Sequence, residues 1–245
     1  MRVGVICEGQ SDFPAIESFF GHALSEHGIE AKFIPLQPQM DRTRAEASWC
    51  HVLFWLRDNP PQARIQNYFG GGLFGGSLGL QPLDALLIQM DADIVSDDGF
   101  VSFVRSRYLA EVADSTDAHE RADAIRQVIE VAAGLANLTD VDVRRHVVAP
   151  AVDSTETWCV AAFVSQPQDF EQLRGADLVN AFMRALERSE NREPKENYAT
   201  CDKTLARRRK FCEVHRASSR RVADGCSQFS RILRDLRDLA IGNNG

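Results

Sequence analysis

Three acidic sites in this chain share one setting, each following closely on an apolar run. Glu8 follows residues 2–7, Asp91 and Asp93 follow residues 84–90, and Glu156 comes shortly after residues 143–152. Gathering such carboxylates is costly: two unit charges about 4 Å apart repel by roughly 4 kcal/mol at an effective dielectric of about 20. A divalent cation offsets that repulsion. Carboxylates plus water are the ligand set of a hard ion, Mg2+ or Mn2+. Such an ion stabilises charge on phosphorus and activates a water, so the chemistry to expect is cleavage of phosphodiesters. Residues i and i+2 of an extended backbone point to one side, so Asp91 and Asp93 are expected to share an ion. The candidate catalytic and metal-binding set is therefore Glu8, Asp91, Asp93 and Glu156, with Asp12 completing or orienting it.

Each member also has a plainer reading. A carboxylate such as Glu8 is favourable near a helix N-terminus for electrostatic reasons alone. Acidic turns after strands are common, and Glu156 would complete a capping arrangement with Asp153 or Ser154. What argues for a joint role is the repetition of the same placement, in order, at successive strand ends.

The elements that must position these residues are readable from periodicity. Residues 2–7 read as a buried strand, and Glu8 to Asp12 as a polar turn. Phe13, Ile16, Phe19, Phe20, Ala23 and Leu24 then recur at helical spacing. Pro14 sits in the first turn, where its missing N–H costs nothing, with Ser11 or Asp12 as the cap. Residues 31–36 form a second strand, and a strand–helix–strand opening makes strands parallel. Helices are expected over 43–57, 100–112, 117–136 and 154–165, and strands over 84–90 and 143–152. Residues 168–241 read as mostly helical and polar, with a loop from Glu190 to Tyr198. In a parallel sheet all strand C-termini lie on one edge, where ligands bind. Sites far apart in sequence can meet there.

Charge is unevenly spread. The net charge is −7, yet residues 201–245 hold eleven Lys and Arg against five Asp and Glu, which leaves an acidic body and a basic tail. Residues 205–210 carry four consecutive basic side chains, either a solvated helix face or a surface that grips phosphates. At 245 residues, with 44% hydrophobic and 26% charged residues, the chain can bury a full core. No apolar run reaches the roughly 18 residues of a membrane span, and the N-terminus reads as a strand rather than a leader, so a cytoplasmic protein is expected. The six cysteines show no metal or redox spacing and are expected to be free thiols. The six histidines show no ligand spacing either. The stretch 69–79 holds six of the sixteen glycines but no Gly-Lys-Ser/Thr, so it reads as a flexible loop or lid rather than a phosphate loop. The apolar stripe Phe229, Ile232, Leu233, Leu236, Leu239 reads as core packing, with a homodimer or partner helix as the alternative.

Strand–Glu8–Gly9–x–x–Asp12–helix followed by strand–Asp91–x–Asp93 resembles the TOPRIM domain of topoisomerases, bacterial primases and nucleases of the overcoming-lysogenization-defect type. More narrowly, the chain resembles small stand-alone prokaryotic TOPRIM-like proteins, on Gly70-Gly71-Gly72, Pro150, Glu156-Thr157-Trp158, Pro194-Lys195 and Lys203. The resemblance covers residues 1–205. It implies an α/β fold with a four-stranded parallel, Rossmann-like sheet flanked by helices and a helical C-terminal extension. It also implies a general acid/base at Glu8, Mg2+ at Asp91 and Asp93, a nucleic-acid substrate (DNA or RNA), and an anti-phage setting beside an ABC-type ATPase. The organisation it suggests is a catalytic core over 1–167 with a helical insertion at about 100–136, and a basic helical region over 168–245 packed on the core. Two other classes stand beside this one. Asp91-x-Asp93 also resembles the metal motif of glycosyltransferases that bind nucleotide sugars, and a non-catalytic TOPRIM-like partner of an ATPase would keep the fold alone. A phosphoryl-aspartate phosphatase is the weakest reading, because its motif normally ends the first core strand.

Overall fold

Alternation along the apolar runs separates the interior into two layers. A computed structural model describes residues 1–38, 48–70, 81–188 and 204–242. Strands β1 (Arg2–Ile6), β2 (Lys32–Gln37), β3 (Ala85–Asp91) and β4 (His146–Ala151) form one all-parallel sheet in the order β2-β1-β3-β4. Val3 aligns with Phe33 and Ala85, and Leu87 with Val147. Val3, Val5, Ala85, Leu87, Val147 and Ala149 enter one core, while Ile6, Leu86, Ile88, Met90 and Val148 enter the other.

Helices cover both faces. A continuous helix joins β1 to β2: α1 (Asp12–Ala15), a π-helical turn (Ile16–Phe20) and α2 (Gly21–Ser25). Helices α3 (Trp49–Asp58) and α4 (Pro61–Arg64) lie between β2 and β3. Helices α5 (Asp98–Tyr108), α6 (Ala118–Ala132) and α7 (Asp140–Arg144) lie between β3 and β4. After β4 come α8 (Thr155–Phe163), α9 (Gly175–Arg188), α10 (Leu205–His215), α11 (Ser219–Gly225) and α12 (Ser227–Gly242). The fold is α/β, with a four-stranded parallel sheet between helices, and is compatible with a Rossmann-like arrangement.

Residues of α1, α2, the π turn and α8 to α12 share the first core, whereas α3, α5 and α6 supply the second. Residues 100–136, read from sequence as an insertion, thus provide a covering layer of the sheet. The stripe on α12 is used internally: Phe20 stacks on Phe229 at 4.1 Å, and Trp158 meets both rings edge-on at 5.5 and 5.6 Å. Element ends follow side-chain chemistry. Asp97 accepts from Phe100 N–H to start α5, Asp117 accepts from His119 N–H to start α6, and Gly28 takes positive φ after α2. Cys7, Cys50, Cys159, Cys212 and Cys226 are free thiols. No described helix is long and apolar enough to cross a membrane. The start of the 43–57 helix, the glycine-rich stretch beyond Gly70, the loop from Glu190 to Tyr198 with Pro194 and Lys195, and Cys201 and Lys203 lie outside the described residues.

A buried polar pin ties α4 to the edge strand. The Arg64 guanidinium donates to His146 Nε2 at 3.1 Å, to the Asn59 carbonyl at 2.6 Å and to the Ala133 carbonyl. Burial holds His146 down to about 4, since its charged form would face Arg64 in a dry site. The unfolded chain takes up that proton near pH 6.5, so His146 contributes stability that is complete above that pH and is lost as pH falls towards 4. The size is about 3 kcal/mol. Urea unfolding at pH 7 and pH 4.5 should therefore show a larger drop for the wild type than for His146→Gln; equal drops would contradict this role.

Candidate active site at the sheet switch point

The chain steps outward from β1 to β2 and then returns to the other side of β1 to lay down β3 and β4. The helix after β1 therefore covers one face and those after β3 cover the other. This reversal opens a crevice at the carboxyl ends of β1 and β3, the usual ligand position in open α/β sheets. Glu8 lies two residues past β1 and Asp91 is the last residue of β3. Both are 7% exposed, and Glu8 Oε1 accepts from the Asp91 N–H at 2.8 Å. Residues 83 apart in sequence thus meet where the topology opens the sheet.

The turn between Glu8 and α1 is held by Asp12. Its Oδ2 accepts from Gly9 N–H at 2.8 Å, and its Oδ1 accepts from the Thr155 hydroxyl at 2.7 Å. Asp12 therefore fixes the loop that carries Glu8 and joins it to the start of α8. The expected cap at this helix is not formed by Ser11, whose side chain makes no capping bond. Burial, and then the charge of Glu156, raises the Asp12 carboxyl; Thr155, Arg208 and Gly9 hold it down in part.

Asp91 is the electrostatic centre. Gln89 Nε2 donates to its Oδ1 at 2.7 Å. Burial pushes its carboxyl well above the usual range, and Asp12, Glu8, Glu156 and Asp93 each push it further. The acidic residues named from the sequence are thus close enough to repel one another. Cys7, buried beneath them, is raised by burial and by Asp12, Asp91 and Glu8.

Asp93 is placed differently from the sequence expectation. The strand ends at Asp91, Ala92 turns with φ −91° and ψ −4°, and Asp93 begins a 3-10 turn. The argument that i and i+2 share a side of an extended backbone fails here, because the backbone is no longer extended. Asp93 is exposed at the mouth while Asp91 is buried. Its N–H donates to the Asp153 carbonyl at 3.1 Å, which links the ends of β3 and β4.

Glu156 lies in the first turn of α8 and forms a buried ion pair with Arg208 of α10. The capping alternative is not realised: Ser154 makes no side-chain cap bond, and Asp153 faces Arg174 at 3.4 Å and Arg121 at 3.8 Å. Arg208 is a residue of this site that the sequence does not single out. It belongs to the run that reads as a solvated face or a phosphate-gripping surface, yet it is only 3% exposed, while Arg207, Arg209 and Lys210 do face solvent. Its spacing to Phe211 and Cys212, three and four residues on and both buried, is the signal that assigns it to the inner face.

The donor set is all hard oxygen, and mutual repulsion at Asp91 marks negative charge that a cation would relieve. Among the described residues no three Asp, Glu, His or Cys side chains are gathered as a ready ligand cage. Mg2+ does not need one: it is commonly held by one or two carboxylates, waters and substrate phosphate oxygens. The residues therefore fit a water-rich hard ion at Asp91, with Glu8 and Asp93 beside it. Lys195, Lys203, Gly71 and Gly72 lie outside the described residues, so their place at this crevice is not part of the geometry.

No family model, no curated protein and no solved structure matches this chain.

Proposed function

We propose that this crevice is the active site of a Mg2+- or Mn2+-dependent nuclease of TOPRIM-like architecture. The observation that carries the reading is the Glu8–Asp91 hydrogen bond across the switch point, inside a ring of mutually repelling carboxylates. Asp91 would hold the ion, with the exposed Asp93 next along the chain from the end of β3, and Glu8 would move the proton of the attacking water or leaving oxygen. Asp12 keeps the Glu8 loop in register through Gly9 and Thr155. The ion, when bound, supplies stabilisation of charge on the phosphoryl oxygens. The exposed Arg207, Arg209 and Lys210 on α10 are suited to the phosphate backbone of a polynucleotide.

The nuclease reading is preferred to glycosyl transfer because Glu8 and Asp12 occupy the end of β1 as a built acidic loop, where a sugar-nucleotide enzyme needs room for its base. An ABC-type ATPase partner and an anti-phage role belong to the same proposal and rest on the resemblance alone. The test is to incubate the full chain with single- and double-stranded DNA and RNA, with millimolar Mg2+ or Mn2+ or with a chelator. Cleavage of at least one polymer that needs the divalent ion is expected. Turnover of a nucleotide sugar without nucleic-acid cleavage, or cleavage indifferent to the chelator, would overturn it.

A further inference from the structure

Three side chains lock α8 to α10 beside the acidic crevice: Glu156, Cys159 and Arg208. Glu156 and Cys159 lie three apart on α8, and Arg208 and Cys212 lie four apart on α10, so each pair shares a helix face. Arg208 Nη2 donates to Glu156 Oε1, and Arg208 Nη1 donates to Cys159 Sγ at 3.3 Å. The guanidinium is nearly sealed from solvent. Burial by itself would lower its proton affinity, but Cys159, Glu156 and Asp12 raise it above the ordinary range. Arg208 is therefore a permanent cation. Removing it would take away the cation paired with a buried carboxylate, and such losses are strongly destabilising.

The acidic residues thus divide into two halves. Asp12 and Glu156 lie in the field of Arg208. Asp91 instead accepts from Gln89 Nε2 and, through its own N–H, donates to Glu8 Oε1, while Arg208 is paired with Glu156. In two-metal phosphodiester sites, the second divalent ion sits about 3.5–4 Å from the first and balances carboxylates of this kind. We infer that Arg208 is a positioning residue whose fixed charge holds Glu156 out of the ligand set and leaves a single divalent ion to Asp91. The inference rests on the proposed metal-dependent reading. It removes Glu156 from the expected ligands and ties the basic C-terminal region to the chemistry, because α10 supplies the charge.

Metal counting tests it without reference to turnover. Mn2+ is titrated into the full chain, and free ion is read by its electron paramagnetic resonance signal. The wild type is expected to bind one ion per chain. Arg208→Lys should still bind one, whereas Arg208→Gln removes the charge that holds Glu156 and should bind a second, weaker ion. Arg208→Gln combined with Glu156→Gln should return to one. If Arg208→Gln fails to fold, Glu156→Gln alone decides: one ion retained supports the inference, and loss of the ion shows that Glu156 is a ligand and overturns it. Two ions in the wild type, or one unchanged ion in folded Arg208→Gln, would also overturn it. Absence of any bound ion in the wild type would instead sink the metal-dependent function itself.

Discussion

Replacing Asp91 by Asn is expected to remove divalent-dependent cleavage, by about a thousand-fold or more, while making the protein more stable at neutral pH. The two effects share one cause. The Asp91 carboxyl is raised by burial and by the surrounding carboxylates. Over the window between the ordinary carboxylate value and the raised one, the folded protein keeps a proton that the unfolded chain releases. Stability therefore falls as pH rises through that window, and above it the folded state carries a buried, repelled charge. Asn removes the charge and keeps an acceptor for Gln89 Nε2, so the hydrogen bond at that side chain survives. A gain of about 1–2 kcal/mol at pH 8, shrinking towards pH 4, is the expected outcome in urea unfolding. A less stable variant, or one that still cleaves in Mg2+, would show that Asp91 is a structural acid.

The second large effect is at Glu8. Glu8→Gln keeps an oxygen that can accept from the Asp91 N–H, so folding is expected to hold. It cannot take a proton at neutral pH. Turnover should fall by about 10²- to 10⁴-fold, the usual range for loss of a general acid–base group. Binding of Mn2+ should weaken far less than turnover, because the ion's charge is met chiefly by Asp91. The contrast with Glu8→Ala is informative: the smaller side chain leaves the Asp91 N–H without its acceptor, at a cost of about 1–3 kcal/mol in stability. If Glu8→Gln turns over at the wild-type rate, the proton has another carrier and the assignment of Glu8 is wrong.

The strand ends were legible in the sequence because each buried strand is an unbroken apolar run and the acid that follows it breaks the run. Periodicity placed β1, α1, β3 and α8 closely enough to predict that Glu8, Asp91 and Glu156 stand on one edge. It did not give the strand order, and the order is what makes the crevice: only the reversal at β1 puts Glu8 against Asp91 rather than merely on the same edge. The turn at Ala92 was invisible for a similar reason. Nothing in Asp91-Ala92-Asp93 signals where extended backbone ends, so the two aspartates were expected on one side and are found at different depths. Arg208 was misread because charge was counted along the sequence instead of around the helix. Gln89 and Thr155, which orient Asp91 and Asp12, carry no pattern of their own; they are found only through their hydrogen bonds. The inner stripe of α12 shows the opposite case, where a regular apolar spacing was read as core and is core, sealed by Phe20, Trp158 and Phe229.

The claim on which the rest depends is that the Asp91 carboxylate, at the β1–β3 switch point, holds a divalent cation. Anomalous scattering from crystals soaked in Mn2+ tests it most directly. The predicted result is a single peak about 2.1 Å from an Asp91 oxygen, with Glu8 or Asp93 beside it and Glu156 still on Arg208. No peak at Asp91 in crystals that hold Mn2+ elsewhere would contradict the account.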